Sequence, residues 1–386
     1  MELRQGPVEG LELTPEFWRQ RRVLLTGHTG FKGSWLSLWL QSLGADLVGY
    51  ALEPPTDPSL YVLAAVESGM QAICGDVLDL PHLLRVCGEF QPQIVFHMAA
   101  QSLVRRSYAD PVGTFSVNVL GTAHLLEAVR HTASVEAAVI VTSDKCYEHS
   151  TNAAAFCESD RLGGFDPYSS SKAAAELVTA AFRQSYFAIP ERGPEAGRRT
   201  RRPEGKPGIA SARAGNVIGG GDWGADRLVP DIMRAAIAGR ELQIRNPHAV
   251  RPWQHVLDPL CGYLLLAERL CIDPAGFSQA WNFGPDGSEA LPVSALLDRI
   301  GKLWKSEIAW HIDRGNHPHE ASCLRLDCTK AKTRLGWKPQ WDLDTALEAT
   351  VTWYKTYQSH QDVRALSQRQ IQSFQSALPL MPMLQG

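Results

Sequence analysis

From Arg22 onward the chain alternates short, unbroken apolar runs with longer stretches in which apolar residues recur every three or four positions. The runs Val23–Thr26, Leu47–Leu52, Ala72–Cys74, Ile94–Met98, Ala137–Thr142 and Ile209–Arg213 read as strands. Ser34–Leu43 and Gly121–Arg130 read as helices between them. A strand covered on one face alternates apolar with polar residues, whereas a strand covered on both faces stays apolar throughout. These runs stay apolar, so the pattern predicts an α/β fold: a doubly wound parallel sheet, Rossmann-like, with helices on both faces. Beyond Gly219 the period loosens and tryptophans become frequent, which predicts a smaller mixed lobe. Residues 191–208, rich in Pro, Gly and Arg, read as a solvated loop.

Composition narrows the class without choosing within it. A net charge of −3 over 386 residues gives no electrostatic case for nucleic acid or a membrane surface. The eight cysteines form no C-x-x-C pair, so neither a zinc site nor a compact disulfide framework is expected. His317-Pro318-His319-Glu320 offers two histidines two apart, with no further ligands, so no metal is expected. The acidic N-terminus lacks a signal-peptide apolar core, and the run Leu36–Leu43 is too short and too polar to span a bilayer. A cytoplasmic protein is expected.

The first strand leads into Thr26-Gly27-His28-Thr29-Gly30-Phe31-Lys32-Gly33, with a helix from Ser34. In G-x-x-G-x-x-G, Gly27 allows the tight turn, Gly30 lets backbone approach a pyrophosphate, and Gly33 allows close helix packing. The first-turn N–H groups, including those of Phe31 and Lys32, then face the phosphates. A Walker loop needs G-K-S/T and is excluded by the order Lys32-Gly33-Ser34. Asp76-Val77 closes the third strand, where a carboxylate suits an adenine amino group, and Ala99-Ala100-Gln101 closes the fourth with small residues that leave room. Glu53 follows the second strand slightly late for a ribose contact; it reads equally as a turn residue, and the residues alone leave NAD and NADP both open.

The fifth strand ends at Thr142-Ser143-Asp144-Lys145, on the edge where ligands bind in such sheets. Tyr168 and Lys172 follow, on one face of a predicted helix. The lysine's charge is expected to favour the tyrosinate, so the phenol can take a hydroxyl proton while hydride leaves the same carbon.

These motifs together, with Asn118 ahead of Gly121-Thr122, resemble the extended short-chain dehydrogenase/reductase family over roughly residues 17 to 355. Within it, Ser143-Asp144 ahead of the Tyr/Lys pair resembles the nucleotide-sugar 4,6-dehydratases. Thr26–Trp35, Thr142–Tyr147, Ala214–Trp223 and Arg251–Leu257 resemble the CDP-glucose 4,6-dehydratases in particular. The resemblance implies NAD as cofactor, a nucleotide sugar (CDP-glucose) as substrate and a homodimer or higher homo-oligomer. It implies Tyr168 as base for the 4-hydroxyl, Lys172 as its partner, Ser143 as a hydrogen-bonding aid and Asp144 as acid for the departing 6-hydroxyl. Lys145 stands where the wider pattern has a glutamate, and reads either as the C5 base or as an orienting cation. Ser102, Asn216, Arg227, Leu228, Arg251 and Asn282 match substrate contacts, and Asn118 a cofactor contact. The implied organisation is a tail over 1–16, an NAD-binding domain over 17–208, a mainly nucleotide-sugar-binding lobe over 209–355 with segments returning to the NAD-binding domain, and a tail over 356–386. A nucleotide-sugar 4-epimerase would share the loop and the Tyr/Lys pair but has no need of Asp144. A non-catalytic dinucleotide sensor would need neither Tyr168 nor Lys172, and no G-x-S-x-G turn supports a hydrolase.

Overall fold

A computed structural model describes residues 13–148, 155–189, 206–286, 290–313, 315 and 324–378. The apolar runs form β1 (Arg22–Thr26), β2 (Asp46–Ala51), β3 (Gln71–Cys74), β4 (Ile94–His97), β5 (Ala137–Val141) and β6 (Gly208–Ala214). The later part of the chain adds β7 (Asn216–Ile218), β8 (Leu242–Ile244), β9 (Val250–His255), β10 (Ala280–Phe283), β11 (Ala290–Pro292) and β12 (Trp310–Ile312).

Seven strands make one sheet in the order β10-β6-β5-β4-β1-β2-β3. Every neighbouring pair in it is parallel. Alternation along each strand divides the apolar residues between two cores. Val23, Leu25, Ile94, Phe96, Ala137 and Val139 join one face, with the helices Phe31–Ser42 and Leu257–Ile272. Leu24, Val95, Ala138 and Ile140 join the other, with Leu83, Val86, Leu125 and Val129 from the helices Leu80–Phe90 and Gly121–Arg130. Covering both faces is what keeps the central strands β1, β4 and β5 largely apolar.

The smaller sheets lie in the later part of the chain. β9 pairs parallel with β7 and antiparallel with β11, and β8 pairs parallel with β12. The four-residue strand β10 returns from this later part to the main sheet as its seventh strand, paired with β6, a return of the kind the sequence reading expected. One departure from the sequence reading stands out. The segment read as a tail from 356 is structured over much of its length: the helix Leu343–Gln358 runs into it and a further helix spans Val363–Ser376. Phe374 of that helix packs edge-on against Trp39 at 5.6 Å and Trp341 at 5.4 Å. The helix is rich in Gln and Ser, and its sparse buried apolar positions, Val363, Ile371 and Phe374, give little periodic signal. His317, His319 and most of the 191–208 loop lie outside the described residues. Among the described residues, no helix is long and apolar enough to cross a membrane, and no cluster of His, Cys, Asp and Glu could hold a metal.

Candidate active site

The carboxyl ends of β1, β4 and β5 are level, because Thr26 and Ile140 both register with His97. At the end of β1, Gly27 adopts φ +77°, and a Cβ there would meet the Ala99 amide nitrogen at 2.6 Å. A Cβ on Gly33 would fall 2.1 Å from the Gly27 carbonyl, so strand end and helix touch through bare backbone. Gly30 differs: its Cβ would meet only the Gly27 carbonyl, at 3.4 Å. Gly30 is also the N-cap of the helix Phe31–Ser42 and offers no side chain to its first turn. Open space over Gly30 beside an uncapped helix start fits a dinucleotide pyrophosphate.

Around this loop, Thr26 Oγ1 accepts the Met98 and Ala99 amides at 3.2 Å each, which ties the β4 end down. Asn118 is fully buried: its Oδ1 accepts the Gln101 amide at 2.9 Å, and its Nδ2 donates to the Gln101 carbonyl at 3.0 Å and to Ser171 Oγ at 2.8 Å. Its amide thus latches the β4 end to the helix Pro167–Ser185, which carries Tyr168 and Lys172. Asp76 Oδ1 accepts the Leu78 amide at 2.9 Å, Val77 is buried, and Ala99 and Ala100 are half-buried beside the loop. Glu53 is exposed.

The chemical groups converge at the end of β5. Ser143 Oγ donates to Asp144 Oδ1 at 3.0 Å, accepts the Lys145 amide at 3.2 Å, and is in hydrogen-bonding contact with the Tyr168 phenol. Asp144 is 1% exposed, and its Oδ2 finds no hydrogen-bond partner among the described residues. Lys145 Nζ stands 3.6 Å from Asp144 Oδ1. A Cβ on Gly215 would lie 3.0 Å from Asp144 Oδ2, so this glycine keeps the carboxyl's free side open.

Burial reverses the expected direction for Tyr168. Its phenol is pushed up to about 12 by desolvation, against the Ser143 hydrogen bond and the charge of Arg227, which pull it down. Lys172, with Nζ 3.4 Å from the Val141 carbonyl, is brought down to about 8 by burial, with Glu176 opposing. Desolvation of the charged form is the larger effect for both groups in this dry corner.

Two residues here, Tyr263 and Asp222, carried no recognisable signal. Lys32, whose first-turn amide is expected at the cofactor phosphates, has its Nζ donating to Tyr263 Oη at 3.4 Å. Burial, helped by Arg227, Lys172 and Lys145 and opposed by Asp144, brings Lys32 down to about 7. Tyr263, near enough for Tyr168 and Asp144 to raise its phenol further, lies in the apolar helix Leu257–Ile272, where a tyrosine reads as core. Asp222 holds Arg227, whose Nη1 donates to both carboxylate oxygens at 3.1 Å, while Arg227 Nη2 donates to Ser102 Oγ at 2.8 Å. Leu228 opens the helix that follows, Asn216 opens β7, and Arg251 lies on β9 opposite Leu291. Asn282 is fully buried on β10. Its Oδ1 accepts Tyr147 Oη at 2.7 Å, and its Nδ2 donates to the Phe156 carbonyl at 2.9 Å and the Asp327 carbonyl at 3.2 Å. That side chain is engaged within the protein rather than offered to a ligand.

Similarity to known proteins fits this geometry. The family model described as GDP-mannose 4,6 dehydratase matches residues 24–190. The dTDP-glucose 4,6-dehydratase of Xanthomonas campestris pv. campestris (strain ATCC 33913) is 28% identical, over 87% of this chain and 93% of its own. Among solved structures, the UDP-glucose 4-epimerase of Thermotoga maritima superposes with a TM-score of 0.72 at 21% identity, covering 87% of this chain and 99% of that one. The dTDP-glucose 4,6-dehydratase of Bacillus anthracis gives 0.70 at 21% identity, with 90% and 99% covered. These two share the fold. The CDP-glucose 4,6-dehydratase of Salmonella typhimurium is 48% identical over 94% of this chain and 98% of its own length, and the chain belongs to that family.

Proposed function

We propose that the protein is a lyase that converts CDP-glucose to CDP-4-dehydro-6-deoxyglucose and water with NAD retained across the turnover. The observation that carries this reading is the buried Asp144, with one oxygen unpartnered among the described residues and open space kept by Gly215, set against Ser143 and Tyr168. An epimerase has no leaving hydroxyl to protonate and no use for such an acid. The choice of CDP-glucose rests on the relative at 48% identity.

In this reading the pyrophosphate lies over Gly27, Gly30 and Gly33 at the start of the helix Phe31–Ser42. When bound, NAD supplies the oxidant for C4 and the reductant for C6, so it leaves each turnover unchanged. Tyr168 takes the proton of the 4-hydroxyl, aided by Ser143, and the Lys172 ammonium stabilises the phenolate. The Arg227 charge adds to this pull on a phenol that burial raises. Oxidation at C4 acidifies the C5 hydrogen. Asp144 and Lys145 then act as a pair sharing one proton across 3.6 Å. With the proton on Asp144, the acid protonates the departing 6-oxygen while the neutral Lys145 amine takes the C5 proton. Lys145 returns that proton to C5 as C6 is reduced, and the proton that Tyr168 took from the 4-hydroxyl passes to Asp144, so all three groups are reset. Arg251 holds the diphosphate through its fork of donors, and Arg227 and Ser102 close over the sugar.

All seven cysteines among the described residues are free thiols, which supports a reducing, cytoplasmic setting. The homodimer reading is supported by large apolar side chains exposed on helices that contact one another: Tyr108, Val112, Phe115, Leu120 and Leu177. The test of function is a panel of nucleotide-glucoses incubated with substoichiometric NAD, following the 4-keto sugar. CDP-glucose is expected to turn over without steady NADH accumulation. NADH rising in proportion to product would make the protein a simple dehydrogenase.

A further inference from the structure

We propose that Glu176 is a positioning residue for this reaction: its buried carboxylate fixes the Ser143–Asp144 end of β5 and holds Lys172 in its charged form. This deepens the dehydratase reading above and rests on it.

Glu176 lies one turn after Lys172 on the helix Pro167–Ser185 and is 4% exposed. Its Oε1 accepts Thr142 Oγ1 at 2.5 Å. Its Oε2 accepts Ser211 Oγ at 2.6 Å and Arg213 Nη2 at 2.8 Å. Thr142 immediately precedes Ser143 and Asp144, so this hydrogen bond anchors the strand end from which the acid projects. The donors come from β6 and the end of β5, and the carboxylate from the helix that carries Tyr168. One buried group thereby ties together the three elements that build the chemical centre. Arg213 Nη1 donates to Tyr147 Oη at 2.8 Å and to the Glu158 carbonyl at 3.1 Å.

The charge argument is independent of these bonds. Besides the Tyr168 phenol, which burial keeps neutral around pH 7, the titratable groups bearing on Lys172 among the described residues are Glu176, Cys146, His97 and Lys32. Burial keeps the Cys146 thiol well above its ordinary range and His97 near 3, so both are neutral around pH 7. Lys32 has the wrong sign to help. Glu176 is therefore the negative charge that offsets the desolvation of the Lys172 ammonium, and Arg213 secures its ionised state.

The test is the pH dependence of CDP-glucose dehydration by the holoenzyme. In the parent, activity is expected to fall on the basic side near pH 8 as Lys172 loses its proton. Glu176→Gln keeps the shape without the charge, and should move that limb down by roughly one to two pH units. Glu176→Asp, which keeps the charge, should leave the limb in place even if the rate drops. Should Glu176→Gln fail to fold because Arg213 is left buried and unpaired, the double variant Glu176→Gln/Arg213→Met removes both charges and should show the same displacement. An unmoved limb in a folded variant overturns the proposal, and so does unfolding of both, which would assign the pair to stability alone. A parent that converts no CDP-glucose refutes the dehydratase reading instead, so the two failures are distinguishable.

Discussion

Glu268 gives the fold a pH liability that one substitution should remove. It lies on the helix Leu257–Ile272, 5% exposed, and its Oε1 accepts the Thr14 amide at 3.1 Å and Trp18 Nε1 at 2.7 Å. It thereby clamps the start of the chain onto the main core. Burial lifts its carboxyl from 4.5 to about 7, although the bonds from Thr14 and Trp18 pull it down. The folded state therefore holds this proton more tightly than the unfolded chain does. Between pH 4.5 and about 7 the native protein binds more protons, so stability falls as pH rises through that window. Below the window the penalty vanishes, and above it the penalty is constant. At 1.36 kcal/mol per unit, the full difference is on the order of 3 kcal/mol. Glu268→Gln keeps the acceptor oxygen and cannot ionise. Urea unfolding should show parent and variant close together at about pH 4.5, with the variant more stable by up to about 3 kcal/mol at about pH 8.5. A variant that is less stable at both values, or offset equally at both, would refute the reasoning.

Other substitutions address the site. Arg251→Ala should weaken nucleotide-sugar affinity by roughly 1.5–3 kcal/mol while NAD affinity stays nearly constant, both read by calorimetry; equal loss of both would assign Arg251 to the fold. Gly27→Ala should lower the melting temperature as well as NAD affinity, because its Cβ would meet Ala99 backbone at 2.6 Å at φ +77°. Gly30→Ala, with 3.4 Å to its nearest neighbour, should spare the melting temperature and reduce NAD affinity alone. Gly215→Ala, whose methyl would sit 3.0 Å from Asp144 Oδ2, should slow dehydration without changing NAD affinity.

The sheet was legible because strands covered on both faces cannot alternate, and runs such as Val23–Thr26 and Ala137–Thr142 are hard to mistake for anything else. A return to the main sheet was expected, but β10 itself was not singled out because Ala280–Phe283 is too short to stand out, and its place is decided by pairing with β6 far back in the chain. The helix Val363–Ser376 escaped because its core contribution is concentrated in widely spaced residues that find partners in Trp39 and Trp341. At the site, local motifs placed Ser143, Asp144, Tyr168 and Lys172 correctly on their elements. The roles of Asp222 and Tyr263 arise only when distant segments meet, and no spacing encodes them. Asn282 shows the reverse: a residue that reads as a ligand contact is fully used by Tyr147, Phe156 and Asp327. The direction of the Tyr168 shift was missed because sequence shows the neighbouring lysine but not the depth of burial.

The central claim is that Asp144 is the acid for loss of the 6-hydroxyl, downstream of an oxidation that depends on Tyr168 and Lys172. Asp144→Asn keeps the shape of the side chain but cannot deliver a proton to the leaving oxygen. A single-turnover experiment with CDP-glucose and NAD-loaded Asp144→Asn should show NADH absorbance rise and persist, while the 4-keto-6-deoxy product forms roughly 10²–10⁴ times more slowly than with the parent. Tyr168→Phe, run alongside, should give no NADH at all. Dehydration of CDP-glucose by Asp144→Asn at near the parent rate would contradict the account.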